Sequence, residues 1–211
     1  LRSSGELNLS GAGGTSSRHT KLEGHDLGLP GIAGAERRIL TLDDPVVALT
    51  RTQSIAGGLE FTPQTSAGPQ LQLACFFETR DQREWAVIPT THPQGPDPRR
   101  PIFRATERSL SVNLRFVTEL ERFFVIALVR TPGRMMPGGT LTVGLYGGAR
   151  LEIPLDSNST YGAKALLTAY LVEGRLVLRA EHDPFSGTLQ QVASVYGYDA
   201  ISWRDPFTPL I

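Results

Sequence analysis

The sequence predicts a mainly β fold, an antiparallel two-sheet β-sandwich with one short C-terminal helix. Three observations predict it. Many short apolar or alternating runs are separated by Gly, Pro and Asp turn signals. Two pairs of runs are joined by hairpin-type turns, at Gly147-Gly148 and at Glu173-Gly174. Only the stretch after Ser186 clearly spaces its apolar residues as a helix does.

The elements follow in order. Residues 1–35, which include GAGGTSS and GLPGIAGA, are rich in small and polar residues and read as a flexible tail or linker. Residues 36–211 form the predicted domain. Arg38–Leu42 is a short apolar strand, and Asp43-Asp44-Pro45 is a turn. Val46–Thr50 and Ser54–Phe61 read as strands, the second with a bulge signal at Gly57-Gly58. Gln70–Glu78 and Trp85–Ile88 are central-strand candidates. Residues 89–105 carry five prolines and read as a long loop, because proline cannot donate to a sheet ladder. Ser109–Leu114 alternates with period two, and Thr118–Arg122 suits a helical turn. Phe123–Val129 is apolar throughout, as a strand buried on both faces would be. Pro132–Gly139 reads as a loop, and Leu141–Tyr146 with Ala149–Leu155 as a hairpin. A second hairpin pairs Ala165–Val172 with Arg175–Glu181. The final helix takes Ser186 as its cap, presents Leu189, Val192 and Tyr196 on one face, and ends at Gly197.

Composition narrows the function classes. The 211 residues suffice for one domain with a real core, and 40% hydrophobic with 20% charged residues is globular. Twenty-one basic residues balance 21 acidic ones, which argues against nonspecific nucleic-acid binding. The single cysteine, Cys75, sits in an apolar run and reads as a buried small hydrophobe. It excludes an internal disulfide framework and a cysteine-cluster zinc site. No apolar stretch is long enough to span a bilayer as a helix, and no signal sequence opens the chain. A cytoplasmic location is the expectation, peripheral to a membrane complex at most. A start at Leu1 without Met reads as a fragment or a processed form.

The four histidines, His19, His25, His92 and His182, make no metal-ligand spacing with one another or with Cys75. Glu173, Glu181 and Asp183 read as turn residues rather than an acid/base pair. There is no nucleophile elbow, P-loop or dinucleotide fingerprint, so a non-enzymatic role is expected. The densest basic feature is Arg99-Arg100, followed by Arg104 and Arg108; guanidinium forks suit a phosphate or an acidic partner. The end of the chain, Trp203 to Ile211, is aromatic and apolar, and either packs back on the sandwich or docks on a partner.

One resemblance runs through these elements. Glu173-Gly174-Arg175-Leu176, then Arg179-Ala180, then a helix ending in Tyr196-Gly197, is similar to the C-terminal signature of the TerD-type tellurium-resistance and stress-response family. Gly58-Leu59-Glu60-Phe61, Phe124–Val129, Ala149–Leu155 and Ser186-Gly187-Thr188-Leu189 resemble further elements of that family, over roughly residues 38–204. The resemblance implies a β-sandwich and a role in tellurite resistance, stress response or phage defence. It also implies a calcium site built from aspartate clusters. Those clusters fall here on Gln70-Leu71-Gln72 and on Ala105-Thr106-Glu107-Arg108, with Asp97 upstream. The implied ligand set is therefore a degenerate one: Gln70, Gln72, Asp97 and Glu107. Calcium needs several carboxylate oxygens, so no cofactor is expected, with calcium as the alternative. The expected reading is an interaction or scaffold module that binds other TerD-family or stress-complex proteins through Arg99, Arg100, Arg104, Trp203 and Phe207. A calcium or small-ligand sensor, and a homo-oligomeric structural subunit, are the alternatives.

Overall fold

The computed structural model describes residues 27–65, 71–129, 137–156, 162–182 and 184–210. The chain opens with β1 (Arg37–Ile39), β2 (Val46–Ala48), α1 (Arg51–Ile55), β3 (Gly58–Thr65), β4 (Gln72–Thr79) and β5 (Glu84–Val87). Next come β6 (Gln94–Asp97), β7 (Arg100–Ala105), β8 (Leu110–Asn113) and β9 (Leu120–Val129), with a 3-10 helix at Leu114–Glu119. It continues through β10 (Gly139–Gly144), β11 (Arg150–Leu155), β12 (Gly162–Val172), β13 (Arg175–Ala180) and β14 (Ser186–Gly187). It closes with α2 (Leu189–Val195), β15 (Ser202–Asp205) and β16 (Thr208–Leu210).

Two large sheets form the sandwich. One has the order β1-β11-β10-β3-β8-β7-β6, the other β2-β13-β12-β9-β4-β5, with β14 on β12. Pairing is antiparallel except for β1, which lies parallel to β11. Phe61, Phe77, Phe103 and Phe123 interlock between the sheets: Phe77 stacks on Phe103 at 4.4 Å, and Phe123 meets Phe103 and Phe61 edge-on at 5.2 and 6.4 Å. A second core lies on the outer face of the other sheet. There Phe76, Phe124, Ile126 and Leu128 are covered by α2, Tyr198, Ile201 and the β15–β16 hairpin. The sheet containing β4 and β9 is thus buried on both faces, and alternate residues of each strand serve different cores. That is why Phe123–Val129 is apolar without alternation. Cys75 is fully buried, and burial pushes its thiol pKa well up, so it acts as a hydrophobe.

Both predicted hairpins form. In β12–β13 the turn residues Glu173 and Gly174 both have positive φ, 49° and 75°, the signature of a two-residue turn that matches strand twist.

Five expectations are corrected. The loop assigned to 89–105 contains the β6–β7 hairpin. Its prolines are tolerated because β6 is a terminal strand, the register slips between Gly95 and Pro96, and Pro101 lies outside the β7–β8 ladder. Ser54 belongs to α1, not to a strand. Thr50 accepts a hydrogen bond from the backbone N–H of Gln53, and the Gln53 side chain accepts one from Thr50, a capping box. The same device, Thr188 with Gln191, starts α2, so Ser186 is not the cap but pairs with Lys164. The helical turn placed at Thr118–Arg122 lies earlier, over Leu114–Glu119, with Asn113 accepting from the Arg115 N–H. The folded region also begins before residue 36: Ile32 is fully buried, and Ala48 N–H donates to Pro30 O at 2.8 Å. The remainder of the predicted tail, residues 1–26, lies outside the described residues.

The parallel edge is fastened by charge. Arg37 grips Glu152 with two hydrogen bonds of 2.8 and 2.6 Å, and Arg150 reaches the same carboxylate at 2.6 Å. The Arg37 hydrogen bond, helped by the charges of Arg37 and Arg150, holds the Glu152 pKa below its ordinary value of 4.5. The folded state therefore binds that proton less readily than the unfolded chain. This contribution is complete above the ordinary glutamate pKa and is lost as pH falls through the depressed one. Glu152→Gln is expected to remove it, so its melting temperature should fall less than that of the parent between about pH 5 and pH 3. Parallel acid limbs for the two proteins would count against the clamp.

Candidate functional site

β5 and β6 are consecutive in the chain and terminate opposite sheets, joined by the Ile88–His92 bridge. Beside them lies a cleft of about 530 Å³, within the size range of ligand sites. Three distant segments line it: the β4–β5 turn, the start of the β6–β7 turn and the end of the 3-10 helix. Trp85 and Pro96 give it an apolar surface, and Arg80, Asp81, Arg83, Asp97 and Glu119 surround that surface with charge.

Local bonding fixes these charges. Thr79 Oγ1 donates to Asp81 at 2.6 Å, and Arg83 Nε stands 3.2 Å from the other Asp81 oxygen. The Thr79 hydrogen bond first, and the Arg83 charge second, hold the Asp81 pKa below its ordinary value. The Arg80 N–H donates to Glu119 O at 2.9 Å, which ties the β4 end to the 3-10 helix. Asp97 accepts the Arg99 N–H at 2.8 Å and shapes the β6–β7 turn. Arg100 is ion-paired with Glu119 and lies 4.2 Å above the Phe116 ring.

Each acid of the cleft is thus already engaged. Among the described residues, the side chains of Arg80 and Arg99 make no ion pair. Arg83 is bonded through Nε to Asp81, and a guanidinium carries five donors. The lining therefore sets two arginines and three carboxylates around a half-buried indole.

The residues named from sequence scatter differently. Asp97 and Glu107 lie at opposite ends of β7, because each sits in a turn that the six-residue strand separates. A common ligand set of Gln72, Asp97 and Glu107 is therefore not assembled, and Gln70 lies outside the described residues. Among the described residues no group of three His, Cys, Asp or Glu side chains is placed to hold a metal ion. Arg99 lies in the β6–β7 turn and Arg100 at the start of β7, where it pairs with the cleft residue Glu119, whereas Arg104 stands near the other end of β7, opposite Gln94 and Ser111. Trp203 and Phe207 are half-buried and pack on the second core, with Trp203 5.9 Å from Phe76. This is the first of the two alternatives for the end of the chain, packing back on the sandwich.

Sequence reasoning missed Arg80, Asp81, Arg83, Trp85 and Glu119. The signal was the tetrapeptide Arg80-Asp81-Gln82-Arg83, a charged turn directly after the most apolar early strand. Its meeting with residues 97 and 119 is a product of nonlocal pairing. No helix among the described residues is long and apolar enough to cross a membrane. No protein-family model, no curated protein and no solved structure matches this chain.

Proposed function

We propose that this chain is a non-enzymatic interaction module, a TerD-like scaffold of a cytoplasmic stress-response or tellurite-resistance assembly, that engages an acidic protein partner at the cleft beside β5 and β6. The observation that carries the reading is a cleft that sets Arg80, which makes no ion pair among the described residues, and Arg83 beside the half-buried Trp85. The proposed surface includes Arg99 and Arg100, which adjoin Asp97 in sequence, and leaves out Arg104, near the far end of β7. The TerD resemblance supplies the biological setting and rests on the residues quoted above.

The test is affinity capture from the source cells with the full chain and with a variant carrying Arg80→Glu, Arg83→Glu and Arg99→Glu. All three side chains are exposed, so the melting temperature should stay within a few degrees. The expected result is loss of the acidic proteins from the captured set, with a binding decrease of tenfold or more. Retention of the same proteins by the variant would overturn the reading. A melt in millimolar calcium against chelator separates the sensor alternative, which requires an upward shift by mass action.

A further inference from the structure

We infer that residues 6–10 of this chain, Glu-Leu-Asn-Leu-Ser, dock as an extended segment on the outer face of the sheet β2-β13-β12-β9-β4-β5, with Leu7 and Leu9 against Tyr170, Val172 and Val177. This surface is separate from the cleft, and the docking does not depend on what the cleft binds.

That face has two halves. α2, Tyr198, Ile201 and the β15–β16 hairpin cover Phe76, Phe124, Ile126 and Leu128. Toward β2 there is no such cover among the described residues. Ala169 and Leu171 of β12, with Leu176 and Leu178 of β13, pack into the inner core, so Tyr170, Val172 and Val177 face outward. Tyr170 is 46% and Val172 38% exposed, and Val177 is half-buried. Register sets Val177 between Tyr170 and Ala48, so these side chains form one apolar strip leading to β2.

The strip ends where residues 1–26 join the fold. Gly31 bridges Ala48, and the Ala48 N–H donates to Pro30 O. Gly31 therefore stands three strand spacings, about 14 Å, from Tyr170. Residues 10–26 separate Leu9 from Leu27, and a stretch of that length reaches about 55 Å when extended. Leu7 and Leu9 are the one closely spaced pair of large apolar residues before residue 27, and a period of two sets both on one side of an extended segment. The other long stretches outside the described residues, 66–70, 130–136 and 157–161, join the fold at the opposite end. There Thr65 pairs with Gly139, Gln72 with Leu128 and Val129 with Gly162, whereas Tyr170 and Val172 lie where β12 finishes. A strip of three partly exposed side chains offers less than the roughly 800 Å² per partner of a stable dimer, which favours a tethered short segment over a second copy.

The experiment places a nitroxide on Ser10→Cys in the full chain; Cys75 is fully buried and does not compete for the label. In ¹⁵N-labelled protein the amides of Tyr170, Val172 and Val177 are expected to relax about fivefold faster than in the same chain carrying Leu7→Asp and Leu9→Asp. Neither leucine belongs to the described cores, so this pair tests docking without threatening the fold. Val172→Asp, at an exposed position near the strand end, should abolish the difference from the other side. Equal relaxation with and without the two aspartates would overturn the inference, as would an effect centred on Arg80 and Trp85 instead of β12. A mixture of spin-labelled chains with unlabelled ¹⁵N chains is expected to show no enhancement. Enhancement at Tyr170 in that mixture would identify a second copy as the occupant and overturn docking within one chain.

Discussion

Phe123→Ala is expected to lower the stability of the domain by about 3–5 kcal/mol and its melting temperature by on the order of 10 °C. Phe123 lies on β9, next to the centre of its sheet, and is 1% exposed. Its ring meets Phe103 and Phe61, both on the facing sheet. Truncation removes the transfer energy of the ring and leaves a cavity that neither sheet can close. β4 and β12 fix β9 on both sides along most of its length. The measurement is a urea denaturation series at fixed pH. The midpoint should fall with little change in slope, because the surface exposed on unfolding is nearly the same. Phe123→Leu, which keeps most of the volume, should cost about 1–2 kcal/mol and guards against a variant that fails to fold. A loss under about 1 kcal/mol for the alanine variant would show that the sheets collapse onto the gap.

The same strand shows what the sequence made legible. A buried two-faced strand needs apolar residues at every position, and Phe123–Val129 announces that without help from the rest of the chain. Gly147-Gly148 and Glu173-Gly174 announce their hairpins because turn conformation is a local property. What covers the outer face of β9 was not legible. The cover comes from residues 189–207, and nothing local in β9 specifies which distant segment packs there. Two helix starts stand in plain form, Thr50-x-x-Gln53 and Thr188-x-x-Gln191, but the first helix is too short for an apolar stripe, and its last two residues, Ser54 and Ile55, read as the start of a strand. The prolines of residues 89–105 misled for a related reason. Their tolerance depends on β6 being a terminal strand, which is a property of the whole sheet.

The candidate site was half legible. Charge density points to Arg99 and Arg100 and the resemblance to Asp97; Asp97 lines the cleft, and Arg100 pairs with Glu119 of its lining. The resemblance adds Glu107 and the basic run adds Arg104, and the hairpin carries both away, because β7 separates its two ends by the length of the strand. Trp85 was visible only as a strand residue. Its partner segments at residues 79–83 and 118–119 reach it through the pairing of β4 with β5 and the placement of the 3-10 helix.

Arg122→Ala is expected to cost about 3 kcal/mol, with the loss concentrated in the C-terminal cover rather than spread over the sandwich. Arg122 faces Glu78 across β4 and β9 and donates to it at 2.6 Å. Its other nitrogens donate to Tyr196 O at 2.9 Å and Gly197 O at 2.6 Å, and its guanidinium lies 4.4 Å from the Tyr198 ring centre. α2 ends in a paired-turn cap: Gly197 N–H donates to Ser194 O, and Tyr198 N–H to Ala193 O. Gly197 has φ of 74°, and a side chain there would meet the Arg122 guanidinium at 3.3 Å, so glycine serves both the cap and the close approach. Removing Arg122 leaves the largely covered Glu78 carboxylate unpaired and two carbonyls without their donor. The measurement is native-state hydrogen exchange. The amides of α2 should lose protection by roughly 10²-fold, while those of β9 and β4 lose only what the global stability change requires. Arg122→Lys should fall between, since it keeps the charge beside Glu78 but lacks the fork that reaches both carbonyls. Equal loss of protection in α2 and in β9 would mean that the cover and the sandwich unfold as one unit. In that case the guanidinium would be one contact among many rather than the pin of a separable layer.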